Sequence, residues 1–194
     1  LKAFINEHQV AQWRSVMQES EAIARLKRGE ISGLERLVEL HQAQALQVAY
    51  LITRDYALAE DVVQTSFLRA YERIAQFDST RPFAPWFLRS VINNALTTVT
   101  GRRELSLDSR SSDEAELPSP DPGLQEMLEA AETKGEILAA LDKLSPVQRA
   151  AIVMHYYLDW SNAEVSHKLS IPPGTVRRRL HDAKQRLRRL LPTY

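Results

Sequence analysis

The sequence predicts an all-α protein built as two small helical domains joined by a flexible acidic linker, the second domain a helix-turn-helix. Three observations carry that prediction. Apolar residues recur at helical spacing through most of residues 34–99. A stretch rich in acids, Ser, Pro and Gly then interrupts the pattern near residues 106–123. Beyond it, a capped short helix, a three-residue turn and a basic amphipathic segment follow one another. The composition agrees with a globular chain: 194 residues, 44% hydrophobic and 26% charged.

In the first domain, Leu34, Leu37, Val38, His41, Ala45, Val48, Ala49 and Ile52 make one long amphipathic helix. A second runs from about Leu58 to Ala75, with Val63, Phe67, Ala70, Tyr71 and Ile74 as its core stripe. Asp61, Thr65, Leu68 and Glu72 fall opposite, and a leucine among polar groups suggests a docking surface, although a neighbouring helix could equally cover it. The adjacent acids Glu60 and Asp61 point about 100° apart on a helix, so they do not form a catalytic pair. A third helix starts near Pro85, with Leu88, Val91, Ile92, Ala95 and Val99 inward and Trp86, Arg89, Ser90, Asn93, Thr97 and Thr100 on the other face. The loop from Gln76 to Phe83 precedes it, and Arg102 and Arg103 follow. Aromatics beside Arg and Asn suit single-stranded nucleic acid, which needs flat surfaces, base-edge donors and cations, although aromatics near helix ends are more often core.

Charge is balanced in sum, 25 basic against 25 acidic residues, but segregated in place. Asp108 to Glu132 holds eight acids against Arg110 alone, and Pro172 to Tyr194 holds seven bases against Asp182. In the second domain Ile137, Leu138, Leu141 and Leu144 form a helix ended by Ser145-Pro146, and Ile152, Val153 and Tyr156 belong to the next. Ser161 and Glu164 fit a capping box, in which each side chain satisfies an orphan amide of the other. After the turn Ser170-Ile171-Pro172, Val176, Leu180, Ala183, Leu187 and Leu190 form an inward stripe. Gly174, Thr175, Arg178, His181, Asp182 and Gln185 lie opposite, flanked by Arg177, Arg179 and Lys184, the distribution a major-groove helix needs. The expected divisions are an extension over 1–20, a domain over 21–105, a linker over 106–130 and a domain over 131–194.

Several classes are excluded or disfavoured. Without cysteine there is no disulfide scaffold, thiolate zinc site or cysteine nucleophile. Five histidines show no metal-ligand spacing, and six glycines form no phosphate loop. No apolar run approaches the roughly 20 residues of a membrane span. The first ten residues do not read as a secretory signal. The expectation is a cytoplasmic, non-enzymatic protein without metal or other cofactor.

The segments Ala59–Tyr71, Phe83–Asn93, Leu144–Ala150, Tyr156–Glu164 and Ile171–Leu180 together resemble bacterial RNA polymerase sigma factors of the extracytoplasmic-function (ECF) group. The resemblance spans roughly residues 20–192 in consistent order. It implies that Asp61, Gln64, Leu68 and Glu72 dock on the clamp helices of the polymerase core. It places Phe77, Phe83, Trp86, Arg89, Asn93, Arg102 and Arg103 at the minus-ten element, with the loop between the phenylalanines capturing a flipped base. Thr175, Arg177, Arg178, Arg179, His181, Asp182, Lys184 and Gln185 would meet the minus-thirty-five element. The acidic linker would run through the polymerase, and an anti-sigma factor would be a further partner of a monomeric chain. Asp182 departs from the group, where Arg is frequent; a carboxylate there can accept from a cytosine amino group. The other function consistent with these features is a helix-turn-helix regulator with a helical sensor or dimerisation domain.

Overall fold

A computed structural model describes residues 7–105 and 135–191, with side chains from residue 16 to 101 in the first segment. The expected acidic linker, 106–130, lies outside the described residues, as do residues 1–6 and 192–194. The elements are α1 (Glu7–Lys27), α2 (Ser32–Thr53), α3 (Tyr56–Arg73) and α4 (Phe83–Leu105). After the linker come α5 (described over 135–142), α6 (Pro146–Ile152), α7 (Asn162–Leu169) and α8 (Pro173–Leu190). Among the described residues no helix is long and apolar enough to cross a membrane.

Helix α1 runs unbroken past residue 20, so the expected extension enters the first domain as its opening helix. It packs on α2, which also contacts α3 and α4. Gly33 makes the α1–α2 approach possible: a Cβ there would lie 2.4 Å from the Ala22 carbonyl oxygen and 2.6 Å from the Leu26 amide nitrogen. Glu19 of α1 ties three elements together. One carboxylate oxygen lies 2.8 Å from His41 Nε2 on α2, and the other accepts from the Phe83 amide at the start of α4. Contact with His41 holds the Glu19 carboxyl below its ordinary pKa, against the opposing effect of burial.

Local chemistry sets the helix boundaries. Asp55 caps α3 by accepting from the Leu58 amide at 3.0 Å. Ser145 and Gln148 form a capping box at α6, with Pro146 in its first turn. Ser161 and Glu164 form the second box, at α7, as their spacing predicts. Ser170 closes α7 in a left-handed conformation, φ 51°, which reverses the chain into the turn before α8. Helix α6 continues into a π-helical turn, Val153–Tyr157, whose end is marked by the Leu158 amide donating to the Val153 carbonyl.

The apolar periodicities meet in the core with two departures. Tyr71, expected inward, is 41% exposed, and Ser66 takes a fully buried place on α3 by donating to the Val62 carbonyl. Phe87, absent from the expected α4 stripe, is fully buried beside Phe67 and Phe83.

The two domains pack on one another. One cluster of buried side chains runs continuously from Ala22 and Leu37 to Val165, Val176 and Leu180. A smaller one, Leu141, Leu144 and Ala183, rests on Leu51 of α2. The Arg149 guanidinium is buried at the junction, donating to the Ile52 carbonyl at 2.9 Å and the Leu144 carbonyl at 3.1 Å. Burial lowers its pKa, which the nearby Asp142 partly offsets. Arg54 pairs with Asp142 at 2.7 Å, and the Tyr157 hydroxyl donates to Gln47 Oε1 at 2.8 Å.

Candidate nucleic-acid interface

Helix α8 presents the basic face in the expected orientation. Val176, Leu180 and Ala183 are buried, which fixes the rotation of the helix. Gly174, Arg178, His181, Asp182 and Gln185 are therefore exposed, Thr175 is half-buried, Arg177 and Lys184 are exposed and Arg179 is half-buried. The inward stripe ends early: Leu187 is half-buried and Leu190 is 42% exposed. Arg178 Nε lies 3.9 Å from Asp182, so this acid lowers the net charge available at the centre of the face.

On α3 the residues Asp61, Gln64, Leu68 and Glu72 are all exposed, Leu68 at 55%. No helix of the described fold covers Leu68. It forms one edge of a groove of about 480 Å³ whose other wall is Leu34, Val38 and Leu46 of α2. An apolar groove rimmed by Gln42, Glu60 and Gln64 is the pattern of a protein-docking surface. Leu34 and Val38, expected inward, are half-buried because they line it.

The loop before α4 corrects part of the expectation. Phe77 is 3% exposed and Phe83 fully buried, their rings 5.6 Å apart. They anchor the two ends of the loop in the core and do not offer faces for stacking. Steric closeness of a turn whose ends must be held together explains why: aromatic side chains are the largest anchors available. Lys27 supports the loop from α1, donating to the Phe77 carbonyl at 2.6 Å and to Ser79 Oγ at 2.8 Å. Asp78 accepts from the Thr80 amide and hydroxyl, which hold its pKa below the ordinary value. The exposed part of the loop is thus Asp78 to Pro82.

Trp86 is half-buried, backed by Phe77 at 5.0 Å and Phe83 at 5.5 Å between ring centroids. Asn93 is exposed one face along α4. Arg89 is half-buried, its guanidinium 5.7 Å from the centroid of the Trp160 ring in the second domain. The side chains of Arg102 and Arg103 lie outside the described ones. Arg69 and Arg73 share this surface with Trp86 and Arg89, and sequence reasoning missed them. Their spacing of four places them on one face of α3, a signal a helical wheel could have shown. Lys168 also reaches the surface, from α7, and no local pattern announces it.

A family model of Sigma-70 region 2 matches residues 37–104, and one of Sigma-70, region 4 matches residues 134–187. The ECF RNA polymerase sigma factor SigL of Mycobacterium tuberculosis is 33% identical over 160 residues, covering 82% of this chain and 89% of SigL. The chain belongs to the ECF sigma factors. SigE of Mycolicibacterium smegmatis, also named an ECF sigma factor, is 29% identical over 154 residues; the match takes 79% of this chain and 60% of SigE. The solved structure of the sigma factor RpoE from Bartonella quintana, with the anti-sigma factor NepR, has the same fold. Its TM-score is 0.64 at 22% identity, covering 82% of this chain and 96% of that one. In this ECF sigma factor, region 2 comprises most of α2 together with α3 and α4, and region 4 ends with the basic helix α8.

Proposed function

We propose that this ECF sigma factor works as a promoter-specificity subunit of RNA polymerase through three separate surfaces. The exposed face Asp61, Gln64, Leu68 and Glu72 docks on the clamp helices of the core enzyme. The loop tip Asp78 to Pro82, with Trp86, Arg89 and Asn93, receives the melted minus-ten strand. On α8, Thr175, Arg178, His181, Asp182 and Gln185 read the minus-thirty-five element while Arg177, Arg179 and Lys184 hold phosphates. The observation that carries the reading is Leu68, an exposed leucine on a groove that nothing in the described fold fills.

Energetics support a division of labour with polymerase. A stacked base contributes about 1–3 kcal/mol, against a few kcal/mol for unpairing and unstacking it. The free factor therefore holds a promoter weakly, and the core enzyme supplies the remaining contacts. With about four phosphates neutralised by α8, binding falls roughly 150-fold between 50 and 200 mM salt.

Packing of the two domains adds a requirement. The minus-ten and minus-thirty-five elements lie about 25 base pairs apart, or ~85 Å at ~34 Å per turn. A compact chain of this length is only about 40 Å across. Both surfaces can act together only after the domains part. The 29 residues between Leu105 and Gly135 allow it, because an extended segment of that length reaches ~100 Å. Membership of this group and a solved relative in complex with an anti-sigma factor support such a protein as a partner, with the packed form its natural target. The factor acts in the cytoplasm as a monomer.

The deciding experiment is Leu68→Asp. Loss of co-elution with core polymerase and of polymerase-dependent run-off transcription, at an unchanged thermal midpoint, is the expected result. Unchanged transcription would remove the docking face from the proposal.

A further inference from the structure

Between α3, α4 and α7 lies a crevice of about 310 Å³. Its walls supply the cations Arg69, Arg73, Arg89 and Lys168 and no carboxylate, with Trp86 and Asn93 beside them. Two of the cations are held in place. Arg69 donates to the Asn94 side-chain carbonyl, and Asn94 in turn donates to Ser66 Oγ at 2.8 Å. Arg89 is held against Trp160. Among the described residues none of the four cations makes an ion pair, and the Lys168 ammonium makes no hydrogen bond. Glu164, a carboxylate that feels Arg89, is already engaged in capping α7.

Like charges gathered in a partly desolvated crevice repel more strongly than in open water. Burial, with Arg89 as the second cause, pushes the Lys168 pKa down to about 8. An anion would relieve both effects. The crevice volume is at the lower end for small-molecule sites, which suits one nucleotide.

We propose that this crevice is a nucleotide site, with phosphates among Arg69, Arg73, Arg89 and Lys168 and the base against Trp86. Charge and aromatic surface occur together there, which distinguishes it from the depression beside Arg25 and Arg36, where Glu21, Glu35 and Glu39 offset the cations and no ring is present. Lys168 belongs to the second domain and the other cations to the first, so the nucleotide bridges the packed arrangement and favours it. That role goes beyond promoter recognition, which does not use Lys168. The occupant is a free nucleoside triphosphate; a nucleotide within a single strand offers the same groups and is distinguished from it by the test.

The test is titration of the full chain with ATP, inorganic tripolyphosphate and a short single-stranded deoxyadenosine oligonucleotide, read by calorimetry at low salt. ATP binds once per chain and more tightly than tripolyphosphate. Lys168→Ala weakens ATP at least about tenfold, while Lys168→Arg retains binding and Arg28→Ala, at an exposed arginine outside every proposed surface, leaves it unchanged. If ATP alone depends on Lys168, the occupant is the free nucleotide; the same dependence in the oligonucleotide overturns that assignment. The proposal is overturned if ATP fails to saturate, if Lys168→Ala has no effect, or if Arg28→Ala removes binding. Equal affinity for tripolyphosphate overturns the stacking of the base.

Discussion

Single side chains in this protein often do a different job from the one their type suggests. Phe83 sits among Phe77, Trp86, Phe87 and His41, and its ring is fully buried. Phe83→Ala should therefore cost about 3–5 kcal/mol of stability, seen as a lower denaturation midpoint before any DNA is added. If stability is unchanged and only promoter opening suffers, the ring acts on DNA after all. Lys168 makes a second case. Its folded pKa, about 8, lies below the unfolded value of about 10.4, so folding disfavours its charged form. The penalty is fully present below pH 8 and fades as pH rises towards the unfolded value, so stability climbs across that window. Lys168→Met should flatten this climb and be at least as stable as the parent at pH 7. Thermal midpoints measured from pH 7 to 10 decide it.

At the level of helices, short-range chemistry places the boundaries and one close approach sets the packing. The two capping boxes, at Ser145 and Ser161, satisfy orphan amides that would otherwise fray α6 and α7. Gly33 is the contact on which the α1–α2 crossing depends, since added carbon meets backbone atoms that cannot turn aside. Gly33→Ala should destabilise by about 1–3 kcal/mol, and a lower thermal midpoint would report it. An unchanged midpoint would mean that α1 can shift freely on α2. The long helices were legible as periodicities, as was the box at Ser161. The inward faces were less so. Tyr71 falls on the edge of the α3 stripe, where a hydroxyl-bearing ring can turn to solvent, and Phe87 adjoins Trp86 on a helix whose two faces are both aromatic.

For the whole molecule, an apolar junction joins the domains, and apart from buried Arg149 the polar contacts across it are partly exposed. The Arg54–Asp142 pair has an acid side chain 46% exposed, and such a pair contributes at most about 1 kcal/mol and less in salt. Replacing Asp142→Ala together with Tyr157→Phe should shift the chain towards separated domains, with the largest difference from the parent at low ionic strength, where the lost ion pair is strongest. A larger radius of gyration in solution scattering, with each domain still folded, is the expected outcome; an unchanged radius would mean that the apolar junction alone holds them. The helical class, the two-part organisation and the rotation of α8 were all readable along the chain, because helix periodicity, caps and breakers act over a few residues. The packing of α6 and its π-helical turn onto α2 and α4, the burial of Phe77 and Phe83, and the meeting of Lys168 with Arg69, Arg73 and Arg89 were not. They depend on contacts between residues up to more than a hundred positions apart, and those are chosen by how whole apolar faces fit together in three dimensions, which no local pattern encodes.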